Sequence, residues 1–492
     1  MKIAMIKIQQ NRRDFEYDIF SLVKAFYPDK EAATFVEEDN NKSPDEIEAV
    51  ITVNYENNSV RIEADDSNGK HLMQSADINL DSRVEAKNII KHLLYDILSL
   101  FTGRVLAWGT LTGIRPTKIP VSLIERGKTD VEVRQYMKET YQATQEKIDL
   151  SIDIAKRELK ILKDIDYKNG YSIYIGIPFC PTTCLYCSFT SYPIAKWEKR
   201  VDEYLDALCK EIDYAASAFK NRTLNTIYIG GGTPTTLSAK QLDRLLTKLE
   251  TSFDYLGLCE LTVEAGRPDS VSQDKIQVLK AHRVTRISIN PQTMNQKTLD
   301  IIGRRHTVEQ IHTAFHMARE AGFDNINMDL IVGLPDEDMQ AVKYTMEEIV
   351  KLNPDSVTVH SLAIKRAARL NMFKELYNEY AIINNNEIIE MTKEYAKKID
   401  ATPYYLYRQQ NMAGNLENVG YAKEGKEGIY NILIMEEKQT IVAMGAGAST
   451  KIVFPDGFRI ERIENVKDVD NYIERIDEMI QRKSSFIESN LL

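Results

Sequence analysis

From Tyr171 onward the chain alternates short apolar runs with longer amphipathic ones. The apolar runs fall at 171–177, 226–230, 260–264, 286–290, 325–330 and 355–360. Each is too short for a helix and built around apolar residues, the pattern of a parallel strand buried on both faces. Between them, 197–219, 239–251, 272–281, 307–321 and 338–351 repeat apolar residues at helical spacing. Strand and helix in strict alternation predict six β/α units and a parallel sheet covered by helices. Six units do not fill an eight-fold barrel, so the expected fold class is α/β, an open, partial (β/α)6 parallel barrel.

The flanks read differently. Residues 1–105 predict a small α+β domain. Strands at 49–53 and 60–64 are joined by a polar turn, and Val84, Ile89, Ile90, Leu93, Leu94, Ile97, Leu98 and Phe101 line one helix face, closed by Gly103. Residues 106–168 predict a helical bridge opening on the turn-rich stretch from Trp108 to Thr117. The barrel core takes 169–365. A C-terminal α+β domain takes 366–492, with helix over 370–398, short strands at 404–407, 430–434 and 440–444, and a last helix near 466–481.

With 492 residues, 43% hydrophobic and 28% charged, the chain has an ample core. Its net charge of -10 argues against nucleic acid and anionic membrane as partners. The first ten residues alternate as a strand does, unlike a signal peptide, and no run of about 18 apolar residues predicts a membrane span. Thiols kept for a metal group need a reducing compartment, so the cytoplasm is expected.

The densest chemistry lies just after the first strand. Cys180, Cys184 and Cys187 form Cys-x-x-x-Cys-x-x-Cys in one loop. Three thiolates can hold three irons of a cubic cluster and leave the fourth iron open to a small molecule. Structural zinc, the main rival, wants four ligands, and no fourth Cys or His lies between Tyr171 and Arg200. Plain buried thiols are the remaining alternative. Cys209 and Cys259 lie in apolar patterns and read as core.

In parallel β/α folds chemistry gathers at the carboxyl ends of the strands, and the unusual residues of this chain fall there in succession. The second strand ends in Gly230, Gly231, Gly232 and Thr233, which lacks the spacing of a phosphate loop. Its exposed backbone suits an amino-acid head such as the methionine part of S-adenosylmethionine. Glu264 ends the third strand, and Asn290 with Gln292 follows the fourth. Asp329 sits on the fifth, and His360, then Ala363, closes the sixth. Glu264 and Asp329 suit ribose hydroxyls, although such carboxylates often serve in salt bridges. Arg304 can clamp a carboxylate.

Together these residues resemble the radical S-adenosylmethionine (SAM) superfamily from Tyr174 to about Thr450. Tyr174 to Cys180, Gly230 to Thr235, Ile287 to Gln292, Gly303 to His306, Asp329 to Pro335 and Gly445 to Ala448 look like the oxygen-independent coproporphyrinogen III dehydrogenase group. The N-terminal domain, Trp108 to Thr117 and His360 to Arg366 look like its HemZ-type branch.

The resemblance implies a barrel of radical SAM type and a [4Fe–4S] cluster on Cys180, Cys184 and Cys187. It implies one or two molecules of SAM. Tyr174, Gly231 and Glu264 match positions for the first, and Tyr186, Gly232, Thr233, Gln292, Arg304, Asp329 and Ala363 match positions for a second. The implied reaction begins with reductive cleavage of SAM to a 5′-deoxyadenosyl radical. Two propionates of coproporphyrinogen III then become vinyl groups, giving protoporphyrinogen IX for haem without oxygen. A low-potential donor such as a flavodoxin or ferredoxin is the implied partner. Lys365, Arg366, Arg369 and Arg408 are the candidate counter-charges for the tetracarboxylate. Two positions depart from the dehydrogenases: Gly176 replaces a usual His, and Phe189 replaces a fourth Cys, as in related haem chaperones. The alternatives are a haem chaperone and a haem-degrading radical methyltransferase.

Overall fold

The computed structural model describes residues 5–28, 30–36, 47–113, 115–363, 380–409, 416–454 and 459–490. Its contacts divide the chain into two units: 1–153 with 408–416, and 154–407 with 417–492.

The first unit holds β1 (Met5–Gln10), α1 (Glu16–Phe26), β2 (Glu31–Val36), β3 (Ile47–Glu56), β4 (Ser59–Asp66), β5 (His71–Asp77) and α2 (Arg83–Thr102). The strands form one sheet in the order β2-β1-β3-β4-β5. Alternate residues of β1, β3 and β4 point inward, and Ile6, Ile8, Ile51, Val53, Val60 and Ile62 meet the apolar faces of α1 and α2. Gly103, at φ 69°, stops α2. Then come α3 (Lys118–Glu125), α4 (Asp130–Tyr141) and α5 (Gln145–Leu162).

The second unit carries the alternation. Its elements are β6 (Tyr171–Ile177), the short β7 (Phe179–Cys180) and β8 (Tyr192–Pro193), α6 (Val201–Ala218), β9 (Leu224–Gly231), α7 (Ala239–Ser252), β10 (Glu260–Glu264), α8 (Gln273–Ala281) and β11 (Arg286–Ser288). They continue with α9 (Gln296–Ile301), α10 (Val308–Glu320), β12 (Ile326–Val332), α11 (Met339–Leu352) and β13 (Ser356–Ser361). The six expected strands are β6, β9, β10, β11, β12 and β13, neighbours in chain order and all parallel. They form the open β/α barrel that the alternation predicts.

The remaining elements extend this sheet. They are α12 (Asn386–Lys397), β14 (Thr402–Tyr407), β15 (Asn418–Ala422), α13 (Ile429–Glu436), β16 (Thr440–Met444), β17 (Ser449–Val453), β18 (Ile460–Glu464), α14 (Val469–Glu474) and α15 (Ile476–Asn490). β16 adds a seventh parallel strand on the outer side of β6. β15 and β14 pair antiparallel beyond β13, and β17 and β18 beyond β16. Among the described residues the order is linear, with β14 and β18 at its edges.

Two expectations are corrected. Residues 430–434, read as a strand, lie in α13: the Glu260 carboxylate accepts from the N–H of Ile429 at 2.6 Å and of Tyr430 at 3.4 Å, capping a helix start. Cys259, read as core, is exposed at the start of β10, and Cys209 is half-buried. No helix among the described residues is long and apolar enough to cross a membrane.

Candidate functional site

The first strand delivers the cysteine loop, and the second strand's glycines close over it. Gly232 N–H donates to Ile177 O and Thr233 N–H to Phe179 O, both at 2.7 Å. That pairing presses the glycine run against β7. A Cβ at Gly232 would lie 2.5 Å from Phe179 O and 3.0 Å from Cys180 Sγ, so only hydrogen fits. Gly231, at φ +105°, sits beside the Tyr174 hydroxyl. The Thr233 hydroxyl is 3.5 Å from Cys180 Sγ.

The loop is fixed from the other side too. Leu185 N–H donates to Ile302 O at 2.9 Å, and Thr182 Oγ1 to Gly303 O at 2.9 Å. Burial pushes the Cys180 thiol up to about 11, and the charges of Cys184 and Cys187 add to this. Cys187 is also raised, first by burial, against hydrogen bonds from Phe189 N–H and Ser191. Buried thiols in one another's field ionise only when a cation arrives, and a bound metal supplies it. Among the described residues no three His, Cys, Asp or Glu converge as ligands of a single ion. Three thiols in one loop, backed by glycines packed against it, match the donor set of a three-thiolate iron–sulfur cluster.

Beyond the loop, the strand ends connect. Tyr228 on β9 donates its hydroxyl to Glu264 Oε1 at 2.5 Å. Its ring joins a mutually stacked cluster with Tyr174 and Tyr430: the centroids lie 6.2 Å apart for Tyr174–Tyr228, 4.6 Å for Tyr228–Tyr430 and 6.4 Å for Tyr174–Tyr430. Burial and the Asp329 charge push Glu264 up to about 7. Burial raises Asp329 as well, but hydrogen bonds from His360, Asn327 and Thr358 outweigh it and hold this carboxyl below its ordinary value. His360 Nε2 lies 3.8 Å from Asp329 Oδ2, and its Nδ1 lies 3.3 Å from the Tyr407 hydroxyl.

Gln292 adopts φ +68°, unusual for a non-glycine. Two bonds enforce it: Gln292 N–H to Asp329 O at 3.0 Å, and Ile331 N–H to Gln292 O at 2.9 Å. Its Oε1 is buried with no hydrogen-bond partner among the described residues. The buried Arg304 donates from Nε to the Tyr186 hydroxyl at 3.2 Å and from Nη1 to Asn290 O at 2.5 Å. Ala363 follows Leu362, whose N–H donates to Val332 O at 2.9 Å.

The linked set is therefore Tyr174, Cys180, Cys184, Tyr186, Cys187, Gly231, Gly232, Thr233, Glu264, Gln292, Arg304 and Asp329, all on the second unit. Arg408 belongs to the first unit, buried with Nη1 on Leu111 O at 2.6 Å and its guanidinium 6.0 Å from the Trp108 ring. Lys365, Arg366 and Arg369 lie outside the described residues. Sequence reasoning missed Tyr228, which falls inside the apolar run 226–230, and Arg267, which no motif singles out.

Residues 174–349 match the Radical SAM superfamily. The oxygen-independent coproporphyrinogen-III oxidase-like protein HemZ of Bacillus subtilis (strain 168) is 41% identical over 411 residues, 82% of this chain and 81% of that protein. The chain belongs to the HemZ-type branch of the radical SAM superfamily. The heme chaperone HemW of Lactococcus lactis subsp. lactis (strain IL1403) is 32% identical over 330 residues, 65% of this chain and 80% of that protein. The solved coproporphyrinogen III oxidase HemN of Escherichia coli shares the fold, with a TM-score of 0.51, 23% identity, and cover of 65% of this chain and 72% of that one.

Membership of the radical SAM superfamily implies a [4Fe–4S] cluster and SAM. It also gives the two departures a setting. Gly176 O accepts from the Tyr204 hydroxyl at 2.6 Å, and a side chain at 176 would start 3.3 Å from Met444 O. β16 thus crowds the space that the usual His would use. Phe189 is 70% exposed at the outer end of the cysteine loop.

Proposed function

We propose that this radical SAM protein converts coproporphyrinogen III to protoporphyrinogen IX without oxygen. Cys180, Cys184 and Cys187 would hold the [4Fe–4S] cluster. Tyr174, Gly231 and Glu264 would hold one SAM; Tyr186, Gly232, Thr233, Gln292, Arg304, Asp329 and Ala363 would hold a second. When bound, these groups supply one-electron reductive cleavage of a sulfonium and a carbon radical that abstracts hydrogen. Each propionate would give a hydrogen atom to the deoxyadenosyl carbon, then release carbon dioxide and pass one electron to a one-electron acceptor, leaving a vinyl group.

The residues of this chain bind and orient. Glu264 and Asp329 offer carboxylate oxygens to ribose hydroxyls, and Gly231 leaves its backbone open to an amino-acid head. Arg304 offers a charged donor to a carboxylate. The buried strand ends exclude water from a reactive radical. Lys365, Arg366 and Arg369 are the proposed counter-charges for the substrate's carboxylates; Arg408, buried in the first unit on Leu111 O, is withdrawn from that role. A flavodoxin or ferredoxin in the cytoplasm would supply the electron.

The observation that carries this reading is the 41% identity to a coproporphyrinogen-III oxidase-like protein across four-fifths of both chains. Haem chaperoning is the second reading, favoured by the 32% identity to HemW and by Phe189 in place of a fourth Cys. One assay separates them. The full chain is purified without oxygen, its cluster rebuilt, and coproporphyrinogen III, SAM and dithionite added. Protoporphyrin with 5′-deoxyadenosine supports the oxidase. Tight haem binding with no turnover rejects it for the chaperone.

A further inference from the structure

Arg267 lies three residues past the end of β10, on the loop leading from Glu264 to Asp269, and is only 2% exposed. A guanidinium so enclosed must be paired and hydrogen-bonded. Asp269 meets one side of it, with Nε on Oδ1 at 3.0 Å and Nη2 on Oδ2 at 2.7 Å. The other side faces the cysteine loop: Nη1 donates to Thr182 Oγ1 at 2.9 Å and to Cys184 Sγ at 3.8 Å. Thr182, anchored on Gly303 O, passes the contact to the turn that precedes Arg304. His306 Nδ1 lies 3.9 Å from Asp269, but burial pushes this imidazole down to about 3, so it stays neutral. Arg267 is the cation that answers Asp269.

We propose that Arg267 is a positioning residue for the iron–sulfur cluster, aiming an N–H at the Cys184 sulfur and thereby raising the cluster's reduction potential, with Asp269 as its counterweight. Reduction adds one negative charge to the cluster. A hydrogen bond to a ligand sulfur and a nearby positive charge both favour the reduced form. Asp269 offsets the charge from further away and fixes the guanidinium's direction. The inference rests on the cluster part of the functional reading and not on the tetrapyrrole.

The pair makes opposite predictions for its two halves. The full chain is purified without oxygen, reconstituted with iron and sulfide, and titrated with dithionite while electron paramagnetic resonance follows the reduced cluster. Arg267→Gln should lower the midpoint and Asp269→Asn should raise it. Each should change the reduced-to-oxidised ratio at a fixed potential about tenfold, about 59 mV for a one-electron couple. Midpoints equal to wild type at full iron content, or shifts of the same sign, overturn the proposal. If Arg267→Gln takes up no iron, Asp269→Asn decides alone: a raised midpoint supports the proposal and an unchanged or lowered one overturns it. A wild-type chain that takes up no iron overturns the functional reading itself, and this inference with it.

Discussion

The Tyr228 hydroxyl donates to the Glu264 carboxylate at 2.5 Å, and this bond works against the burial that would keep the carboxyl protonated. Burial and the Asp329 charge win, leaving Glu264 at about 7 against an ordinary 4.5. The folded protein therefore holds more protons than the unfolded chain between those values. The sign follows: stability falls as pH rises from about 4.5 to about 7, by roughly 3 kcal/mol from this group, at about 1.4 kcal/mol per pH unit. Glu264→Gln should flatten that slope, read from urea midpoints at about pH 5 and about pH 8.

The same bond makes a binding prediction. If SAM is held by ionised Glu264, affinity rises with pH to a plateau above about 7. Tyr228→Phe removes a donor that favours the ionised form. Losing a hydrogen bond to a charged group should move the midpoint of the affinity profile up by about one pH unit. Calorimetric titrations across that range check this, and an unmoved midpoint removes Glu264 from the binding role.

A second buried contact ties the C-terminal helix to the site's back wall. Lys483 and Glu211 form an ion pair whose side chains are 1% and 0% exposed. Glu211 also accepts from Gly445 N–H at 2.9 Å, Tyr472 at 2.5 Å and Asn465 at 2.8 Å. Gly445 in turn packs on Gly176, where any Cβ would meet Gly176 O at 2.4 Å. Lys483→Met strands a buried carboxylate and should cost about 3–5 kcal/mol. Adding Glu211→Gln should recover most of that loss, because the amide keeps an acceptor for Gly445 and Tyr472 without a charge. Urea unfolding of the single and double variants gives both numbers.

The sheet was legible because its parallel strands, covered on both faces, are buried and mostly apolar; β6 shows this directly, and β12 departs from it only at Asn327 and Asp329. The same rule misled at 430–434. A short buried run has no period that separates strand from helix, and the deciding group, Glu260, is 169 residues away from Ile429. The pairing of β16 with β6 likewise leaves no local trace. At the site, the cysteines and glycines were legible because their spacing is the chemistry. Tyr228 and Arg267 were not, since their importance lies in where a ring and a guanidinium point.

The five cysteines should divide three to two. Cys180, Cys184 and Cys187 share one loop, each close enough to the others to shift the Cys180 thiol. Cys209 sits half-buried on α6, and Cys259 is exposed. Replacing any of the first three by Ala should abolish iron and sulfide uptake after reconstitution. Cys209→Ser and Cys259→Ser should load as wild type. Iron per chain is the readout, and full loading of a Cys184→Ala variant would contradict the assignment.

Gly232 offers a sharper test, because its substitution alters no ligand. Its backbone is not in the left-handed region, so alanine meets no torsional objection there. The obstacle is contact alone, with Phe179 O at 2.5 Å, Ile177 O at 2.9 Å and Cys180 Sγ at 3.0 Å. Two of these are backbone atoms, one at the end of β6 and one in β7, which carries Cys180, and they cannot rotate away as a side chain could. Gly232→Ala must push the glycine run off β7, breaking the 2.7 Å bonds at Ile177 O and Phe179 O. Overpacking of this kind costs about 1–3 kcal/mol, and it falls on the Cys180 position itself. Iron loading should drop several-fold, and weak SAM binding should accompany it. Gly113→Ala is the control, since a Cβ there meets no described residue within 4 Å. If Gly232→Ala loads iron as fully as Gly113→Ala, the close fit of glycine run to cysteine loop is not what shapes the site.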